Sequence, residues 1–191
     1  MRLFMTDRGR QPDWQKVIRK LKRGDHVIIR DYDHPQRETY ARAITALCKA
    51  RGISCAIGGD TRLAWRLNIG VHLRERDLQR RTPALRNAPR GPWNSAAIHH
   101  ARDLKKASDM GANLALISPV FPTQSHPIAR GLGRVRYHQL ARQAQSFGLS
   151  PAALGGMTRR SARLLFGIAY ARAKIAAIDG ISSLSRLYFS P

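Results

Sequence analysis

Acidic residues are scarce in this chain. Its 191 residues carry 12 Asp and Glu against 34 Lys and Arg, a formal net charge of +22. That imbalance excludes an acidic binding surface on this chain and favours polyanionic or phosphorylated partners. Lysine is scarce too: only Lys16, Lys20, Lys22, Lys49, Lys105, Lys106 and Lys174 occur, so arginine supplies most of the positive charge. Arginine binds phosphate bidentately through a rigid fork. GC-rich codon usage would produce the same excess, so the charge alone assigns no site. Cysteine is limited to Cys48 and Cys55, which lack a CxxC or zinc-type spacing; this excludes a disulfide scaffold and fits a reducing compartment. No apolar run approaches the roughly 18 residues of a membrane span, and the N-terminal MRLFMTDRGRQ lacks the apolar stretch of a signal peptide. A cytoplasmic protein without a membrane partner is expected. Aromatics make up only 7% of the chain, and no nucleic-acid module is recognisable, so polyanion binding through the arginine surface has no motif behind it.

What is present is enough apolar material, 43% of the residues, to offset chain entropy in a folded domain. Short apolar segments alternate with longer amphipathic ones. The short segments, residues 3–5, 26–29, 54–57, 70–73, 95–98, 114–117, 151–154 and 175–178, read as strands. Helical stretches cover 13–21, 37–50, 101–110, 137–147 and 158–170, with shorter candidates at 61–67 and 182–188. Residues 78–94, holding Pro83, Pro89 and Pro92, read as an irregular connection. Parallel neighbours need a crossover, usually a helix, so eight such units imply an α/β fold: a compact single (β/α)8 TIM barrel spanning residues 1–191 as one domain. An open doubly wound sheet is the alternative.

Both architectures place ligands beyond the carboxyl ends of the strands. Gly155 and Gly156, between a strand and Thr158 at a helix start, let backbone N–H groups approach a phosphate; the same pair equally serves a tight turn at positive φ. Thr123, Ser125 and His126 sit in a loop running to Gly131-Leu132-Gly133 and read either as a closing loop over a pyrophosphate or as an exposed polar loop. Asp60 and Asp77 follow neighbouring strands and are either magnesium carboxylates or surface acids. His72 reads as packed, and His99 with His100 as a solvated or titrating pair. No acid falls between Asp109 and Asp179, so the C-terminal half is expected to be electropositive.

At these strand ends the sequence resembles the thiamine phosphate synthase and thiazole tautomerase family of small (β/α)8 barrels, over roughly residues 3 to 181. The resemblance rests on Gly70-Val71-His72-Leu73 followed by Asp77, on Pro119-Val120-Phe121-Pro122-Thr123 leading to Gly131-Leu132-Gly133, and on Leu154-Gly155-Gly156-Met157. It implies a transferase of thiamine biosynthesis that joins a hydroxymethylpyrimidine pyrophosphate to a thiazole phosphate, giving thiamine phosphate and pyrophosphate. It further implies that Arg30, Thr123, Ser125 and His126 meet the pyrophosphate, with Arg30 and His126 catalytic. Asp77 and Asp60 would hold Mg2+, and Gly155 and Gly156 would meet the thiazole phosphate. The family's Gln-Leu-Arg-Glu-Lys reads Ile28-Ile29-Arg30-Asp31-Tyr32 here, and His126 stands for a lysine. The family's metal-binding Asn-Asp pair reads Gly58-Gly59, one position before Asp60. The serine at the fifth strand exit is Ala97, the Ile-Ser near the eighth strand is Ile178-Asp179, and the tautomerase histidine is Pro119. The alternative function is a noncatalytic barrel that binds a phosphorylated pathway ligand or a polyanion, with tautomerase activity after it.

Overall fold

Short strands apolar on both faces are the mark of a parallel sheet covered on each side, and the chain builds such a sheet. The structure is a computed structural model and describes residues 2–9, 12–80, 93–122, 131–167 and 188–189. The strands are β1 (Leu3–Met5), β2 (His26–Ile29), β3 (Ser54–Gly58), β4 (Gly70–Leu73), β5 (Ser95–Ile98), β6 (Leu114–Ile117), β7 (Ser150–Ala153) and β8 (Tyr188–Phe189). β1 to β7 pair in sequential order, all parallel, and β8 lies antiparallel on β7. The helices are α1 (Trp14–Lys20), α2 (Arg37–Ala50), α3 (Thr61–Leu67), α4 (Glu75–Gln79), α5 (Arg102–Asp109), α6 (Gly133–Ser146) and α7 (Arg159–Phe166).

Alternation along the strands makes two apolar layers. Phe4, Val27, Ile29, Ile57, Val71, Leu73, Ile98 and Ile117 point to the helices, where Ile18, Ile44, Leu63, Leu104 and Tyr137 meet them. Leu3, Met5, Ile28, Ala56, Leu114, Leu116 and Ala152 form a second cluster on the opposite face, joined by Trp93 and Leu154. The long helices carry the matching stripe: α2 buries Ala41, Ile44, Thr45 and Cys48, and α6 buries Tyr137, Leu140, Ala141 and Ala144, both at the i, i+3, i+4, i+7 spacing of one helix face. Each fully buried Ile or Leu contributes roughly 1.5–3 kcal/mol of transfer free energy. The cores of the two layers therefore fix which strand ends converge.

Several expectations shift. The predicted eighth strand at 175–178 lies outside the described residues; the β7 edge it would pair with carries Tyr188–Phe189 instead, and among the described residues β1 is paired on one edge only. The short helix α4 was not expected, and its last residues, Leu78 and Gln79, fall in the stretch read as a connection, because five residues are too few to show a helical period. α6 starts four residues before the expected position. Its first turn holds the exposed Arg134, Val135 and Arg136, so apolar periodicity begins only at Tyr137.

Candidate active site

The C-terminal ends of the strands open onto a cavity of about 890 Å³. Met5, His72, Ala97 and Leu116 line it from the strands. The exits of β1 (Thr6, Asp7, Arg8), β2 (Arg30, Asp31, Tyr32, Asp33, His34), β4 (Arg74, Glu75, Arg76), β5 (His99), β6 (Ser118) and β7 (Leu154) line the rest. The β3 exit contributes no lining residue. Its Gly58 lies against Tyr32, whose Cε1 would come within 2.7 Å of any Cβ placed there, and Gly59 lies under the Arg74 guanidinium.

Charge in this cavity is mixed: Arg8, Arg30, Arg74 and Arg76 face Asp7, Asp31, Asp33 and Glu75. Most of these groups are already tied. The Arg30 Nη2 donates to Asp7 Oδ2 at 2.9 Å and its backbone N–H to Thr6 Oγ1 at 2.9 Å, joining the exits of β1 and β2. Asp31 accepts from the Arg8 backbone N–H at 2.7 Å and the Tyr40 hydroxyl at 3.0 Å. Burial works to raise the Asp31 carboxyl, but hydrogen bonds from Thr6, Arg8 and Tyr40 hold it below the usual range. His34 stacks on Tyr40 with ring centroids 4.4 Å apart.

The β4 exit is the tightest knot. Asp77 receives the Arg74 backbone N–H at 2.9 Å, Nε at 2.7 Å and Nη2 at 2.7 Å, so both carboxylate oxygens are engaged by one residue. The Asp77 hydrogen bond raises the Arg74 guanidinium further; on Asp77, burial acts upward and the Arg74 bonds outweigh it, so the carboxyl falls below its ordinary value. Tyr32 lies 5.0 Å from the Arg74 guanidinium and 5.7 Å from that of Arg37, measured to the ring centroid. Arg37 in turn donates to the Gly58 carbonyl at 2.6 Å and lies 3.5 Å from Asp60 Oδ2. The other Asp60 oxygen accepts the Leu63 N–H at 2.9 Å and caps α3.

Two histidines line the cavity from β4 and β5. His72 is buried, and its Nδ1 is 2.9 Å from Ser95 Oγ. Burial lowers it from 6.5 to about 4, so it is neutral near pH 7. The His99 Nδ1 donates to the Ser118 carbonyl at 2.7 Å, which fixes its tautomer when neutral, and Nε2 lies 4.0 Å from Glu75 Oε2.

Of the sequence-predicted residues, Arg30 lines the cavity. Thr123, Ser125 and His126 lie outside the described residues. Gly155 and Gly156 form the positive-φ turn, at φ +86 and +64. The Gly155 carbonyl accepts the Phe121 N–H at 3.2 Å, and a Cβ on Gly156 would come 2.6 Å from the Pro122 carbonyl. The pair thus joins the β7 exit to the segment leaving β6, beside Leu154 on the cavity wall. Asp60 and Asp77 do not line the cavity. Among the described residues, no group of three His, Cys, Asp or Glu is placed to hold a metal, and the oxygens of Asp60 and Asp77 are taken by arginines and a helix cap. The donors as arranged do not fit a resident magnesium ion. Arg74, recognisable at a strand exit, and Tyr32, at the position of a family lysine, had no site role assigned from sequence. The signal for Arg74 was the Arg-x-x-Asp spacing at a strand exit, which lets the Asp77 carboxylate accept both the Arg74 backbone N–H and its guanidinium.

Comparisons with known proteins agree with this architecture. The thiamine-phosphate synthase of Thiobacillus denitrificans is 28% identical over 161 residues, 83% of this chain and 71% of that protein. That of Geobacillus thermodenitrificans is 24% identical over 160 residues, covering 82% and 66%, so the chain spans about two thirds of the length of these curated relatives. A solved structure, thiamine phosphate pyrophosphorylase from Pyrococcus furiosus, superposes with a TM-score of 0.68 at 21% identity over 85% of this chain and 78% of that one, a likeness of fold. A family model described as thiamine monophosphate synthase matches residues 3–182. With that match covering nearly the whole chain and the cavity at the strand ends, the chain belongs to the thiamine monophosphate synthase family.

Proposed function

We propose that this chain is a transferase that joins a pyrimidine methyl diphosphate to a thiazole phosphate, yielding thiamine phosphate and pyrophosphate. The observation that carries the reading is Arg30, anchored on Asp7 at the lip of the strand-exit cavity, in a chain whose curated relatives are named thiamine-phosphate synthases. The thiazole nitrogen lone pair forms the new C–N bond at the pyrimidine methylene carbon. The C–O bond to the diphosphate breaks, and its electron pair leaves on pyrophosphate. No proton has to move, so the protein's task is to orient the two substrates and stabilise the charge that grows on the leaving group. Preorganised donors do this well in a water-poor site, at about 3 kcal/mol per donor in favourable cases. Arg30, with Thr123, Ser125 and His126 from the sequence that follows β6, takes the diphosphate. The Gly155 and Gly156 turn takes the thiazole phosphate on backbone N–H groups, and no step runs through a resident metal. Residues 1–191 act as one domain built on the (β/α)8 barrel plan.

Steady-state formation of thiamine phosphate from the two phosphorylated substrates tests the reading. Turnover is expected, with Arg30→Ala lowering kcat/KM by about 100-fold or more. Absence of turnover above background, or Arg30→Ala matching the parent, contradicts it.

A further inference from the structure

The carboxylates that the β3 and β4 exits offer a cation are both turned to arginines. Asp77 is covered by Arg74, whose Nε and Nη2 each lie 2.7 Å from one of its oxygens. Asp60 is spent on the α3 cap and on Arg37. Arg74 lines the cavity and Asp77 does not, so the group presented to a ligand here is a guanidinium. It is held from several sides. Asp77 grips one edge, the Gly59 carbonyl lies 3.5 Å from Nη2, and the Tyr32 ring lies 5.0 Å away. Gly59 matters by what it lacks: the guanidinium occupies the volume that a Cβ there would fill. Among the described residues Arg74 Nη1 makes no hydrogen bond, and Arg30 likewise commits only its Nη2 from the guanidinium. Both act electrostatically on the same Tyr32 and His72, which places two preorganised forks on one stretch of wall. The acids lining the same cavity are Asp7, already paired with Arg30, Asp31, which accepts from Arg8 and Tyr40, Asp33, and Glu75, 4.0 Å from His99.

We propose that Arg74, clamped by Asp77 and seated over Gly59 and Tyr32, is a fixed phosphate-binding cation standing where a carboxylate-held divalent metal would otherwise serve, and that with Arg30 it binds a diphosphate without a metal ion. The physical basis is that a rigid guanidinium binds phosphate oxygens bidentately, and its pairing with Asp77 orients it before the ligand arrives. The inference rests on the diphosphate reading of the cavity.

Calorimetric titration of inorganic pyrophosphate into the full chain, in EDTA and again in excess magnesium, tests it. A saturable site is expected in EDTA, with an affinity that magnesium does not raise. Arg74→Gln weakens binding at least about tenfold, Arg74→Lys recovers part of that loss, and Arg163→Gln on the exposed face of α7 leaves binding unchanged. Circular dichroism establishes that each variant folds. If Arg74→Gln does not, Asp77→Asn carries the test: it loosens the Arg74 clamp and weakens binding in EDTA, whereas a metal-ligand role would leave that arm untouched. Binding that requires magnesium, or that Arg74→Gln leaves intact, overturns the proposal. Absence of binding in both arms overturns it together with the diphosphate reading. Turnover that requires magnesium and ignores Arg74→Gln keeps the condensation and removes this inference. Metal-free binding lost in Arg74→Gln, without turnover, does the reverse.

Discussion

His72 and His26 are both buried and neutral, at 3% and 4% exposure, each with a pKa lowered from 6.5 to about 4, chiefly by burial. The sign follows from which state takes up protons. Between pH 6.5 and about 4 the unfolded chain protonates these rings and the folded one does not, so their contribution is intact above pH 6.5 and is lost as pH falls through that window. At the acid end each costs roughly 3 kcal/mol. Asp31 and Asp77, whose carboxyls are held below 3.8, contribute above that value and are lost only at lower pH still. Thermal stability should therefore fall from pH 6.5 downward, before the carboxylates titrate. His72→Gln, which can retain a hydrogen bond to Ser95, should flatten that slope; an unchanged pH profile would refute the assignment. At this scale the sequence was least informative. Asp60 and Asp77 were recognisable as acids at strand exits, but nothing in their spacing decided between holding a metal and holding an arginine or a cap. Partners three residues away decided it: the Leu63 backbone N–H for Asp60, and the Arg74 backbone N–H and guanidinium for Asp77.

Secondary-structure elements were far more legible. β1, β2, β4, β5 and β6 occupy the segments expected from their apolar runs, because strands buried on both faces must be apolar throughout. α2 likewise matches its expected span, having a full apolar stripe and Gly52 at φ +63 just beyond its end. α4 and the first turn of α6 were missed because they bury little: Leu78 alone in α4, and nothing before Tyr137 in α6. The N-terminal ends of β1 and β2 are fastened by a feature that no periodicity reveals. Arg2 donates its backbone N–H to Asp25 Oδ1 at 2.7 Å and its Nε to Oδ2 at 2.8 Å, and Lys22 donates its N–H to Oδ2 at 2.7 Å. The Asp25 side chain is only 6% exposed. Asp25→Ala strands a buried guanidinium and two N–H groups, and should cost about 3–5 kcal/mol in urea unfolding; a change below about 1 kcal/mol would show that the pair behaves as a surface bridge.

Across the whole molecule, the net charge of +22 does not collect on the described part of the cavity wall. Arg134, Arg136, Arg142, Arg160 and Arg163 are exposed on α6 and α7, while the described cavity wall balances four arginines with four acids. The expectation of an electropositive C-terminal half thus holds for these outward helix faces. Such a surface attracts anions over a distance that salt shortens to about 8 Å at physiological ionic strength, without selecting among them. On the proposed reading, selection falls to the cations fixed by partners: Arg30 on Asp7 and Arg74 on Asp77. The most direct measurement of that claim is a crystal structure of the full chain with pyrophosphate. The account expects the diphosphate in the cavity, within hydrogen-bond reach of Arg30 and Arg74, with Asp77 still paired to Arg74. Pyrophosphate bridged to Asp60 and Asp77 by a metal ion, or bound only on the outer arginines of α6 and α7, would contradict it.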